Sequence, residues 1–125
     1  EFVLKNFSRM HGGEIFVPKI PSMFMTELAK AVAPNLPHKI VGIRPGEKLH
    51  EQMIGIEDAI YTYEYNSYYK ILPSIYNWGN DPERIKNGVK VSSEFEYISN
   101  KNSNWMSSEE LKIWIDNNKN KIELI

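Results

Sequence analysis

Proline and glycine interrupt this chain so often that long regular elements are excluded. Gly12-Gly13, Pro18, Pro21, Pro34, Pro45-Gly46, Pro82 and Gly88 divide its 125 residues into short pieces. Proline lacks the amide hydrogen that an interior helical or strand position donates, and its ring clashes with the preceding turn. A pair of glycines stops a helix, because glycine takes backbone conformations that other residues resist. What fits between such breaks is an α+β arrangement of short strands packed with three main helices. The pattern gives one domain, not two, without internal repeats or a low-complexity linker.

Apolar spacing predicts the type of each piece. Val3, Phe7 and Met10 share one helical face, which predicts a helix from Glu1 to about Met10. That helical pattern has no capping residue ahead of it and no initiator methionine, as expected of a chain that continues a longer protein. Glu14 to Val17 predicts a short buried strand, stopped by Pro18 and Pro21. Met25, Leu28, Ala29 and Val32 form the apolar stripe of a second helix, ended by Pro34. Lys39 to Ile43 predicts another strand. Residues 61–72, rich in tyrosine and isoleucine, favour strand, with Tyr61, Tyr63 and Tyr65 on one face. Residues 77–104, holding Gly79, Pro82 and Gly88, predict an ordered loop region with one strand from Phe95 to Ile98. Ser107 and Glu110 predict a capping box that opens a last helix with Leu111, Trp114 and Ile115 buried.

Charge and composition narrow the function classes. The 15 basic and 16 acidic side chains leave a formal charge of -1, so the overall positive field of a nucleic-acid binder is missing. There are 0 cysteines, which excludes disulfides, thiol nucleophiles and thiolate metal sites. His11, His38 and His50 are too scattered to predict a metal site. No apolar run is long enough to predict a membrane-spanning helix, and the expected location is cytoplasmic. No glycine-rich phosphate loop is present, and a catalytic tyrosine–lysine pair sharing one helical turn is not expected. These residues hold no predicted catalytic group.

Two segments invite a binding role. In Arg44-Pro45-Gly46-Glu47, a guanidinium fixed by a proline-glycine bend offers two parallel N–H bonds to phosphate oxygens. The carboxylate three residues on can accept from two neighbouring hydroxyls, such as a ribose diol. The same residues also fit an ordinary surface turn whose ion pair contributes at most about 1 kcal/mol. Tyr61, Tyr63, Tyr65, Tyr68, Tyr69 and Tyr76 could form a stacking platform for sugars or single-stranded nucleic acid, making the chain a stand-alone sugar-binding or interaction module. With no basic groove beside them, the favoured reading is a half-buried strand whose rings pack on a helix and keep their hydroxyls wet.

The segments HGGEIFVPKIPSM (His11 to Met23), TELAKAVAPN (Thr26 to Asn35), IVGIRPGEKLHEQMI (Ile40 to Ile54) and VSSEFEYISNKNSNWMSSEEL (Val91 to Leu111) closely resemble the inverting UDP-N-acetylglucosamine 4,6-dehydratases. The resemblance covers most of the chain and is weakest from Gly55 to Lys90. It implies an extended short-chain dehydrogenase/reductase whose N-terminal Rossmann domain binds NADP and whose smaller C-terminal lobe, represented here, closes over UDP-N-acetylglucosamine. Such enzymes oxidise C4, eliminate water across C5 and C6, return hydride to C6 and invert C5. The resemblance also implies a homo-oligomer and a product used for pseudaminic acid on flagellin and other surface glycans. It makes Arg44 the diphosphate contact and Glu47 the ribose contact, with Lys19 and Asn100 in segments lining the same cleft. The tail departs from the family pattern, with Asn100-Lys101 where histidine and asparagine are common. Cofactor glycines and catalytic groups are implied to lie upstream of this chain. The remaining alternative is a related enzyme, either a retaining dehydratase or a UDP-sugar epimerase acting on the same substrate.

Overall fold

The computed structural model describes residues 1–75 and 81–122. Tyr76 and Gly79 lie outside the described residues. The chain forms two compact units, each assembled from two separated stretches: residues 1–20 with 52–98, and residues 21–51 with 99–125. The one-domain pattern expected from the sequence differs here. Pro21 directly follows the chain's exit from the first unit, and spacing along a sequence does not reveal that distant stretches assemble together.

Among the described residues, every strand lies in the first unit. Its elements are α1 (Phe2–Phe7), β1 (Ile15–Pro18), β2 (Gln52–Ile54), α3 (Ile56–Ala59), β3 (Thr62–Glu64), β4 (Tyr68–Ile71), α4 (Pro82–Ile85), β5 (Val89–Lys90) and β6 (Tyr97–Ile98). The second unit holds α2 (Met25–Val32), a 3-10 turn (Ser99–Lys101) and α5 (Ser108–Ile122). Four strands make an antiparallel sheet in the order β1-β4-β3-β5, and β2 pairs with β6. Pro18 is tolerated because β1 is an edge strand, where a missing donor breaks no central ladder.

Residues 61–72 form a hairpin rather than one strand. The Tyr65 amide donates to the Tyr68 carbonyl at 2.9 Å across Asn66-Ser67, turn-favouring residues that reverse the chain. Alternation in β4 then sends Tyr69 and Ile71 into the core beside Val17 of β1, Ile54 of β2 and Tyr97 of β6. Tyr69 packs on Phe95 at 5.0 Å and on Tyr97 at 5.1 Å, while Tyr68 meets the edge of Phe2 in α1 at 6.1 Å, so the tyrosine rings pack both on other strand aromatics and on a helix. The Tyr97 hydroxyl accepts from the Ile20 amide at 2.8 Å and donates to the Ile20 carbonyl at 2.9 Å, tying β6 to the end of the first stretch.

In the second unit, α2 lies against α5. Ser22 extends beside Trp105, with its amide donating to Asn104 at 2.8 Å and its carbonyl accepting from Met106 at 2.9 Å. The capping box forms as expected. The Glu110 amide donates to the Ser107 hydroxyl at 3.2 Å, and the Ser107 amide donates to the Glu110 carboxylate at 2.8 Å. Both interactions with Ser107 hold the Glu110 pKa below its ordinary value.

Several expected elements change. α1 stops at Phe7, three residues short of Met10, and the Val3 and Phe7 face is exposed. Residues 39–43 form no strand, because no backbone edge among the described residues pairs with them; Ile40 is 94% exposed. Leu28 and Ala29 of the α2 stripe are half-buried, but Met25 and Val32 are exposed. Leu111 and Ile115 are half-buried, whereas Trp114 is 51% exposed. In each case the periodic pattern identifies the apolar side, while cover depends on neighbours that a helical period does not specify.

Candidate functional site

The Arg44–Glu47 bend is built by its two central residues. Pro45 presets the first corner, and Gly46 takes φ +88°, the left-handed conformation that a type II turn requires at its second corner. The Glu47 amide donates to the Arg44 carbonyl at 3.1 Å and closes the turn. A second closure runs the other way. The Arg44 amide donates to Glu47 Oε2 at 2.9 Å, while Arg44 Nε lies 3.8 Å from Glu47 Oε1. Both side chains therefore share one side of the bend.

This geometry divides the work of the two groups. Glu47 uses one oxygen to brace the bend and keeps lone pairs on the other for an outside donor. The Arg44 side chain is 81% exposed, and its contact with Glu47 is loose, so its paired N–H groups are open to an anion. Because the ion pair is solvated, it adds little stability by itself.

Lys19 lies in the first unit. Its ammonium pairs with Glu64 at 2.7 Å and sits 4.9 Å above the Tyr69 ring. Asn100 occupies the exposed 3-10 turn of the second unit. Arg44 and Glu47 are thus the predicted residues that the structure brings together within one local frame.

The tyrosine platform does not form as a row of open rings. Tyr63 and Tyr69 are buried, and Tyr65 stacks on Tyr68 with centroids 4.5 Å apart and planes 8° from parallel. The Tyr65 hydroxyl donates to the Ile85 carbonyl at 2.6 Å, and burial, with Tyr68 and Tyr63 nearby, pushes its pKa up to about 12. Tyr97 and Lys101 do stand four residues apart, the spacing of a proton-transfer pair. Tyr97 is in β6, however, so the two do not share a helical turn.

A charged cluster was not legible from the sequence. The Glu14 side chain is fully buried, accepting from the His11 amide at 3.1 Å and the Gly12 amide at 2.7 Å, with Arg84 Nε 3.9 Å away. Arg84 also pairs with Asp81, and the buried Lys70 ammonium donates to the Arg84 carbonyl. Burial pulls the Lys70 pKa down, Glu14 opposes this, and Lys86, Arg84 and Arg9 lower it further. The one available signal is a lysine within the alternating apolar pattern of β4.

The family described as polysaccharide biosynthesis protein matches residues 1–73, more than half of the sequence. The chain belongs to this family. The matched segment contains the whole Arg44–Glu47 bend. Within the polysaccharide biosynthesis family, the chain is similar to an inverting UDP-N-acetylglucosamine 4,6-dehydratase of Campylobacter jejuni, at 55% identity over 116 residues. That alignment covers 89% of this chain and 35% of the relative, so the chain spans about a third of the length of the curated relatives it matches. A UDP-glucose 4-epimerase of Rickettsia bellii is 31% identical over 116 residues, covering 90% of this chain and 34% of the epimerase. In fold, the chain is similar to the X-ray structure of Pen from Bacillus thuringiensis, with a TM-score of 0.70 at 21% identity, over 91% of this chain and 33% of that one. Mixed helix and strand architecture is common to both. Among the described residues, no helix is long and apolar enough to cross a membrane.

Proposed function

We propose that this chain is the C-terminal, UDP-gripping lobe of an inverting UDP-N-acetylglucosamine 4,6-dehydratase. The observation that carries this reading is the type II bend holding Arg44 and Glu47 on one side in the open. Arg44 donates a bidentate pair of hydrogen bonds to the diphosphate, and Glu47 accepts from the ribose hydroxyls through the oxygen not bracing the turn. Fixing the bend and the Glu47 carboxylate before substrate arrives lowers the ordering cost of binding, which then falls mainly on the Arg44 side chain. The 55% identity to the Campylobacter jejuni dehydratase supports the choice of substrate and reaction.

The proposed enzyme is an extended short-chain dehydrogenase/reductase that uses NADP and acts as a homo-oligomer in making surface glycans such as pseudaminic acid on flagellin. A dinucleotide cradle needs a strand, then glycines, then a helix N-terminus. Gly12-Gly13 has the reverse order, between α1 and β1, so the described residues do not fit the cofactor. NADP is accordingly assigned to an N-terminal Rossmann domain outside this chain, where it supplies the hydride chemistry. The part of this chain is to bind and orient the nucleotide.

Titration calorimetry of the complete enzyme with UDP-N-acetylglucosamine tests the assignment. Arg44→Ala is expected to weaken binding about tenfold or more, from the loss of a charge-assisted bidentate contact. Unchanged affinity would remove Arg44 from the site. The 31% identity to a UDP-glucose 4-epimerase favours a second reading, epimerisation of a UDP-sugar. Proton NMR of the product separates the two: a 4-keto-6-deoxy sugar inverted at C5 supports dehydration, and a C4 epimer with its 6-hydroxyl retained supports the alternative.

A further inference from the structure

The first unit contains a cavity of about 330 Å³ that uses neither Arg44 nor Glu47. Arg9, Lys70 and Lys86 line it together with Glu83, beside the stacked rings of Tyr65 and Tyr68. Three cations thus face one carboxylate around a small space. Lys70 is buried, and its ammonium lies 5.1 Å from the Tyr65 ring centre. An ammonium has three donors, and one of those on Lys70 goes to the Arg84 carbonyl. The buried Glu14 carboxylate offsets part of the repulsion that Arg9 and Lys86 exert on Lys70, and a bound anion would offset the rest.

The backbone under Lys86 gives a second, independent sign. The Gly88 amide donates to the Ile85 carbonyl at 3.0 Å, making a turn over residues 85–88. Lys86 occupies its first corner with φ 49° and ψ -117°, the type II′ corner that favours glycine. A branched-free but bulky lysine is strained there. Gly88 is fixed by the same contact, because a Cβ would come within 2.6 Å of the Tyr65 ring. The turn is therefore held by Tyr65, with lysine where glycine would be more comfortable.

We propose that this cavity binds a phosphoryl group, with Arg9, Lys70 and Lys86 as its cationic contacts. A tetrahedral phosphate offers acceptor oxygens in three directions, matching three cations of separate origin, whereas a planar carboxylate matches two less completely. Charge from the ligand offsets the mutual repulsion of the lysines and arginine. The source is either free phosphate or a small phosphorylated metabolite, for which the space is sufficient.

The test titrates the full chain with inorganic phosphate and, separately, a hexose monophosphate, following amide resonances by 15N NMR. Saturable shifts at residues 9, 70 and 86 are expected. Tighter binding of the hexose phosphate identifies a metabolite site, and equal or tighter binding of phosphate identifies a phosphate site. Lys86→Gly relieves the turn, so it should raise the denaturation midpoint while weakening binding about tenfold, the scale of one charge-assisted contact. Arg9→Gln, an exposed change, should weaken binding similarly, and Arg44→Ala should leave it unchanged. No saturation at millimolar ligand, or full affinity in Lys86→Gly, overturns the proposal. Loss of binding in Arg44→Ala would also overturn it, by locating the anion at the bend in the second unit.

Discussion

Replacing Gly46 with alanine isolates the contribution of the bend, because it changes backbone preference and leaves Arg44 and Glu47 in place. Gly46 has φ +88°, and a Cβ built there meets nothing within 4 Å, so steric contact adds no cost. The remaining penalty is that of an L-residue in left-handed conformation, about 1–2 kcal/mol. If the turn opens to escape this strain, substrate binding must supply the same energy to close it. Affinity for UDP-N-acetylglucosamine in the complete enzyme should then fall about fivefold to thirtyfold by calorimetry. D-Alanine introduced at the same position by semisynthesis favours positive φ and should restore binding. Gly42 is a matched control, with φ +81° and equally open surroundings outside the turn. Wild-type affinity in Gly46→Ala, or an equal loss in Gly42→Ala, would refute the claim that this bend organises the grip.

Two further outcomes follow from buried and capping carboxylates. Glu14→Ala strands two backbone amides at a fully buried site and removes one of the two carboxylates beside Arg84, and should cost about 3 kcal/mol in urea denaturation, with a loss below about 1 kcal/mol contradicting the account. Glu110 has its folded pKa below the ordinary 4.5, so its contribution is complete above that value and disappears as pH falls through the folded pKa. Circular dichroism of acid titrations should therefore show a smaller loss of helix in Glu110→Gln than in the wild type across this window; identical loss would mean that the capping box is not titrating.

Local chemistry was far more legible in the sequence than packing. Pro45-Gly46 specifies its turn, and Ser107 with Glu110 specifies a helix start, because each requires interactions only within a few residues. The strand expected at Glu14 to Val17 appears one residue later, as β1, but it is not buried throughout: Ile15 is exposed and Val17 alone enters the core. Failure was greatest where a partner decides the outcome. Ile40, Val41 and Ile43 have strand-forming side chains, yet a strand exists only beside another edge. The residues 61–72 resemble one continuous strand because Asn66-Ser67 is a weaker hairpin signal than a glycine pair. Lys70 and Glu14 meet Arg84 through tertiary assembly, which neither helical nor strand spacing encodes.

Nitrogen-15 NMR of the Arg44 side chain during titration with UDP observes the proposed contact itself. A guanidinium that grips the diphosphate should show a large, saturable displacement of its Nε–H resonance, abolished when Glu47→Ala and Gly46→Ala are combined. A resonance that stays at its free position while UDP saturates the protein would contradict the nucleotide grip.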